Sequence, residues 1–342
     1  MFVSKRVQFK LAGLAAALAM GLASASAIAA DITGAGATFP YAVYTKWAEA
    51  YKAATGNLVN YQAIGSSGGV KQIKAKTVDF GGTDAPVKEA DLDAAGLVQF
   101  PSVMGAVTIV ANLPNMKSGQ VKLDGATAAE IFRGAITKWN DPKIAALNPG
   151  VNLPATAITV AHRSDGSGTT YVFSNYLAKQ SVAFMRDVGA GNTVNWPVNA
   201  VGGKGNAGVA ANVQKIAGAI GYVDIADAMK NNMTFVALKN KAGNYIVPNQ
   251  DAVADAASGA NFKVKGMAPD LLDQAHKNAW PITSATYVLA YEKGADAGKQ
   301  KGIVDFFTWS LKTGGKMAEE LGFVPLPANV VKMVEDEMKN IK

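Results

Sequence analysis

AITVAHRSDGSGTT (residues 157–170) reads as a strand that breaks into a tight turn and then opens a helix. Ala157 to Ala161 is an apolar, β-prone run, and Asp165, Gly166, Ser167 and Gly168 are small turn formers ahead of an amphipathic stretch. Two distant segments share the pattern, GAGATFP (34–40) and GSSGG (65–69). Helix N-termini present unpaired backbone N–H groups and the positive end of the helix dipole. Three such ends, each carrying Ser or Thr, suggest a site that surrounds one small tetrahedral anion. Helical and strand-like segments alternate along the rest of the chain, which predicts an α/β fold.

Each segment has an ordinary reading beside the functional one. After GAGATFP, Tyr41, Tyr44, Trp47, Ala48 and Tyr51 fall at helical spacing and the run stops at Gly56. Thr38 lies at that helix mouth beside the N–H groups of Thr38 and Phe39, and could simply cap its own helix. In the second segment Ser66 and Ser67 precede Gly68 and Gly69, with Val70, Ile73 and Thr77 on one helix face. Two glycines at a helix start each cost up to ~1 kcal/mol relative to Ala, so tight backbone packing on a ligand would explain them. The third segment offers the hydroxyls of Ser167 and Thr169, the open N–H of Gly168 and the planar fork of Arg163. Asp165 is placed to hold that fork, or is an ordinary turn aspartate.

Asp84 sits in GGTDAP (81–86), in a turn near the end of a short strand read over Thr77 to Phe80. A carboxylate beside an anion is favourable only when one of the two carries a proton. Phosphate near neutral pH keeps a proton and sulfate does not, so an acceptor-only carboxylate would reject sulfate. Without the three helix mouths Asp84 would be a solvated turn residue.

The other candidates are weaker. GGKG (202–205) fails the phosphate-loop pattern because Gly205 stands where Ser or Thr is required, and it reads as a turn before a helix over Ala207 to Ile216. Two histidines, His162 and His276, without any cysteine are too few for a typical zinc cluster, and no cofactor or metal is indicated. TAAE (127–130) reads as a capping box.

The N-terminus reads as an export signal. Lys5, Arg6 and Lys10 precede an apolar run from Leu11 to Ala23, and cleavage is expected after Ala29, so residues 1–29 would be removed. That run is shorter than the roughly 20 residues of a membrane span. The remaining chain holds 30 basic and 26 acidic residues, about +4, scattered without aromatic interleaving, which excludes a nucleic-acid footprint. The absence of cysteine excludes disulfides and a lipid-modified cysteine, and fits a soluble periplasmic protein. The remaining length suggests two domains, with no low-complexity linker and no internal repeat. Val103 to Ala111 and Trp280 to Tyr291 are the candidate crossings, which would make residues 30–107 and 282–342 one domain and 108–281 the other.

The segments GAGATFP (34–40), IGSSGGVKQI (64–73), VDFGGTDAP (78–86), RSDGSGT (163–169), GGKGN (202–206), AGAIGYV (217–223) and WPIT (280–283), in this order, resemble the periplasmic phosphate-binding proteins of ABC-type phosphate importers. The resemblance covers nearly all the chain after the signal. It departs at Thr83, where Ser is usual, and at His162, where a basic residue can occur, and matches only loosely after Gly322. It implies an α/β, two-domain Venus-flytrap fold with a two-strand hinge, closing on phosphate in the cleft without catalysis. The ligands it implies are the Thr38 hydroxyl and N–H, the Phe39 N–H and the Ser66 hydroxyl, with Asp84 accepting the phosphate proton. Arg163, Ser167, Gly168 and Thr169 would complete the cage, with Asp165 tethering Arg163. The implied partners are inorganic phosphate and an inner-membrane ABC permease, for a monomer that binds no nucleic acid. The alternatives are an exported phosphatase-like hydrolase using Ser167 or Ser66, for which no paired base is evident, and a receptor for another oxyanion.

Overall fold

The computed structural model describes residues 31–342. The export signal and its cleavage site lie outside the described residues. The strands, in chain order, are β1 (Ile32–Gly36), β2 (Val59–Ala63), β3 (Phe80–Thr83), β4 (Leu97–Ala111), β5 (Lys122–Leu123), β6 (Thr159–Arg163), β7 (Val201–Gly203), β8 (Ala219–Asp224), β9 (Thr234–Phe235), β10 (Ala237–Lys239), β11 (Tyr245–Ile246) and β12 (Thr283–Tyr291). The larger sheet runs β2-β1-β3-β12-β4-β8-β6-β7 with β9 beside β4; the smaller runs β11-β10-β5.

The two ends of the larger sheet are parallel, β2-β1-β3 and β8-β6-β7. Its centre is antiparallel, because β12 opposes both β3 and β4 and β4 opposes β8. β4 joins the halves: Leu97 to Ala106 pair with β12, and Val107 to Ala111 pair with β8. The nearly continuous apolar reading of this segment holds, since every residue of β4 is buried. Its polar residues are satisfied inside, as burial requires. Gln99 accepts from the Val87 N–H at 2.8 Å and donates to the Gly266 carbonyl at 2.9 Å, and Thr108 donates to the Val223 carbonyl at 3.0 Å.

Parallel pairing brings the turns after β1 and β2 to one edge, whereas β6 runs opposite to them through three antiparallel steps. Because β8 pairs with the far end of β4, the C-terminal end of β6 points back toward that edge, which gathers the three segments. The helix Tyr41–Thr55 follows β1, Ser66–Lys74 follows β2, and Gly168–Gln180 follows β6. The first ends on Gly56 in the left-handed region at φ 82°, and buries Tyr44, Trp47 and Tyr51 while Tyr41 faces solvent.

Several local expectations shift. The strand expected over Thr77 to Phe80 instead starts at Phe80 and includes Gly81 and Gly82. Close packing selects those glycines: a side chain at Gly82 would meet the Tyr61 hydroxyl at 2.2 Å. Thr77 lies beyond the Ser66–Lys74 helix and is exposed. The helix near Thr127 is capped by Asp124, which accepts from the Thr127 N–H at 2.7 Å, while Glu130 pairs with Arg133. The helix after GGKG begins at Gly205 rather than Ala207, and Gly202 and Gly203 belong to β7.

Candidate anion-binding site

The segment after β1 enters its helix through Ala37, Thr38 and Phe39. The Ala37 N–H donates to the Gly82 carbonyl at 2.9 Å, and the Tyr61 hydroxyl donates to the Ala37 carbonyl at 2.9 Å. The Phe39 ring is fully buried against Phe323, with centroids 5.4 Å apart, so its side chain belongs to the core. Thr38 does not cap the helix; Pro40 holds the cap position without a side-chain bond, and Thr38 Oγ1 is buried with no hydrogen-bond partner. The ordinary reading of Thr38 fails on that geometry.

Ser66 opens the second helix from a fully buried position, and its Oγ accepts the Asp84 N–H at 3.2 Å. Asp84 directly follows β3 and is almost fully buried. Its Oδ1 accepts from the Thr286 hydroxyl at 2.7 Å, whereas Oδ2 is buried without a partner. Burial pushes the Asp84 carboxyl up to about 7, against the opposing pull of the Thr286 bond, the Arg163 charge and Ser66.

On the opposite side, Arg163 ends β6 and is buried. Its Nε donates to Asp165 Oδ1 at 2.8 Å, its second terminal nitrogen reaches Asp165 Oδ2, and its first reaches Thr169 Oγ1 at 3.3 Å and Asn206 Oδ1 at 3.2 Å. Burial disfavours the Asp165 carboxylate, but the Arg163 bonds and charge with the Gly205 N–H outweigh it and hold the group below its ordinary range. Asp165 therefore holds the fork and is not a free turn residue. Ser167 caps the third helix by accepting the Thr170 N–H at 3.0 Å.

The two sides touch. The Ser67 N–H donates to the Gly166 carbonyl at 3.0 Å, and a side chain at Gly205 would reach the Thr38 methyl at 3.4 Å. Thus the residues singled out from sequence converge on one buried cleft. Three contributors were not foreseen. Asn206 also donates to Thr169 Oγ1 at 3.3 Å, and Tyr222 accepts the Arg163 N–H at 3.2 Å while bonding Thr170 at 2.6 Å. Thr286 is the third. Asn206 follows a turn glycine at a helix start, a signal available in GGKGN; Tyr222 and Thr286 sit in apolar strands and carry none.

The chemistry is that of an anion receptor. The hydroxyls of Ser66, Ser167 and Thr169 accept N–H bonds from the protein, which leaves their own hydrogens to donate. Thr38 adds an unpartnered hydroxyl, and Arg163 a buried positive charge. His162 is turned away, stacked on Trp196 at 5.3 Å with Nδ1 beside the Arg163 carbonyl, and burial lowers its basicity. Among the described residues no cluster of three or more metal-ligating side chains occurs.

A sheet with parallel ends joined through antiparallel central strands, and a donor-lined cleft between those ends, defines a receptor of the periplasmic binding protein class. A profile described as the PBP superfamily domain matches residues 23–312. The phosphate-binding protein PstS of Xylella fastidiosa is 48% identical over 305 residues, covering 89% of this chain and 84% of the relative. That of Haemophilus influenzae is 46% identical over 310 residues, covering 90% and 92%. A periplasmic phosphate-binding protein solved with phosphate superposes with TM-score 0.72 at 23% identity, covering 90% of this chain and 93% of that one. A phosphate-binding protein from Stenotrophomonas maltophilia gives TM-score 0.71 at 20% identity, covering 90% and 94%. This chain belongs to the PstS phosphate-binding protein family, and its fold is the two-domain periplasmic binding protein fold.

Proposed function

We propose that this protein captures inorganic phosphate in the periplasm and delivers it, as a monomer, to an inner-membrane ABC permease without transforming it. The relatives named phosphate-binding proteins support the ligand. Among the described residues no helix is long and apolar enough to cross a membrane. In this reading Thr38 (hydroxyl and N–H), the Phe39 N–H and the Ser66 hydroxyl donate from one side of the cleft. Arg163, Ser167, Gly168 and Thr169 donate from the other, and Asp165 steadies Arg163.

The observation that carries the reading is Asp84 Oδ2, a buried carboxylate oxygen without a partner among hydroxyls that have hydrogens to give. Such an oxygen demands a ligand that carries a proton. Residues 30–107 with 282–342 form one moving half and residues 108–281 the other, with β4 and the segment entering β12 as the hinge. The hydrolase reading is disfavoured because the Ser167 oxygen serves as a helix cap and His162 faces Trp196. Calorimetric titration of the anion-stripped protein with phosphate and then sulfate tests the proposal. One-to-one tight binding of phosphate alone is expected; equal binding of both would make it a general oxyanion receptor, and silence would overturn the reading.

A further inference from the structure

Thr286 is a fully buried threonine in β12, whose residues from Thr283 to Ala290 are all buried. A hydroxyl in such a strand is costly unless bonded. Its Oγ1 donates to Asp84 Oδ1 at 2.7 Å and lies 3.5 Å from the Thr83 carbonyl. Its position is set by a β-bulge, where Thr286 pairs with Val103 but Tyr287 pairs with Pro101, leaving Ser102 unopposed. Ser102 Oγ donates to the Thr286 carbonyl at 3.4 Å and bonds the Tyr44 hydroxyl at 2.7 Å. The bulge thus aims one hydroxyl at one oxygen of a buried carboxylate.

We propose that Thr286 is a positioning residue that sets the anion specificity of the cleft: by holding Asp84 Oδ1 it favours the carboxylate form and presents Oδ2 as an acceptor, which disfavours fully ionised oxyanions. This rests on the phosphate reading above. An ionised carboxylate only accepts, so the ligand must supply the hydrogen between them. Without Thr286 the buried carboxyl retains its proton at neutral pH, and Oδ2 becomes a donor that sulfate satisfies. Asp84 also faces the cationic Arg163 fork and the phenols of Tyr44, Tyr61 and Tyr287. Burial holds all three phenols far above neutral, so none changes charge between pH 6 and 8.5.

The test is calorimetry of Thr286→Val and Thr286→Ser with phosphate and sulfate between pH 6 and pH 8.5. The valine variant is expected to gain sulfate binding and to lose at least about tenfold in phosphate-over-sulfate preference, the scale of one hydrogen bond to a charged group. The loss relative to the parent should be largest above pH 7, where the parent carboxylate is ionised and the valine variant keeps its proton, and should shrink toward pH 6. The serine variant should keep the parent preference. Equal weakening of both anions by valine, or loss of preference in serine, would overturn the proposal as mere packing. Thr286→Ala, which only removes atoms, takes the place of valine if valine does not fold. Asp84→Asn separates the two layers, because its amide donates regardless of Thr286. Sulfate admitted by asparagine but not by valine overturns the Thr286 role alone, whereas a parent protein that ignores phosphate overturns the reading beneath it.

Discussion

Gly168 and Ser66 approach so closely across the cleft that a methyl group on Gly168 would lie 2.3 Å from Ser66 Oγ and 2.7 Å from Asp84 Oδ2. They belong to different helices, more than 100 residues apart in sequence, so this contact measures how tightly the two sides meet.

Gly168→Ala should therefore leave each half folded but keep the cleft from closing. Overpacking costs about 1–3 kcal/mol, which predicts phosphate affinity weaker by about tenfold to a hundredfold. Calorimetry gives the affinity. Small-angle scattering should show the parent compacting with phosphate, and the variant remaining extended at the same phosphate concentration. Parent-like affinity would mean the halves do not approach as described.

Arg163→Ala removes the buried fork and strands Asp165 and Asn206. Truncating one partner of a buried, hydrogen-bonded charge pair costs about 2–5 kcal/mol, so affinity should fall by roughly thirtyfold to several thousandfold. Arg163→Lys keeps the charge but loses the planar geometry, and should recover only part of the loss. Circular dichroism of both variants checks that the fold persists, and near-normal affinity would remove Arg163 from the site.

The Asp84 carboxyl gives the anion-free protein a defined pH response. Its folded value, about 7, lies above its ordinary 3.8. Between those limits the folded chain holds a proton that the unfolded chain has released, so stability falls as pH rises from about 4 to about 7 and the loss is complete above it. The size is on the order of a few kcal/mol at most. Thermal unfolding of the parent and of Asp84→Asn across this range checks it. The difference between them should decline through the window and flatten above it; a flat difference throughout would place Asp84 in a less buried setting.

Gly69→Ala tests the scaffold rather than the ligand. The added methyl would meet Gly36 Cα at 2.5 Å, the Ala35 carbonyl at 2.6 Å and the Gly82 carbonyl at 2.8 Å, all backbone atoms that cannot rotate away. A stability loss of about 1–3 kcal/mol is expected in denaturant unfolding. An unchanged midpoint would show that the Ser66–Lys74 helix can shift on the sheet.

Local chemistry was legible in the chain because it is carried by residues close in sequence. The three turn-to-helix segments, the apolar β4 run and the Gly56 stop each follow from spacing and residue type, whereas residue type left Asp165 open between a turn and the Arg163 fork. Tertiary structure decided what those residues do together. That Thr38 caps nothing, that Asp84 has one oxygen held and one free, and that Thr286, Asn206 and Tyr222 complete the cleft depend on strands paired across long stretches of chain. The glycines of β3 show the same divide: their spacing looked like a turn, yet backbone crowding against Tyr61 and the Ser66–Lys74 helix made them a strand. A hydroxyl's partner is set by whatever lies within 3 Å of it in space, and periodicity along the chain carries no record of that.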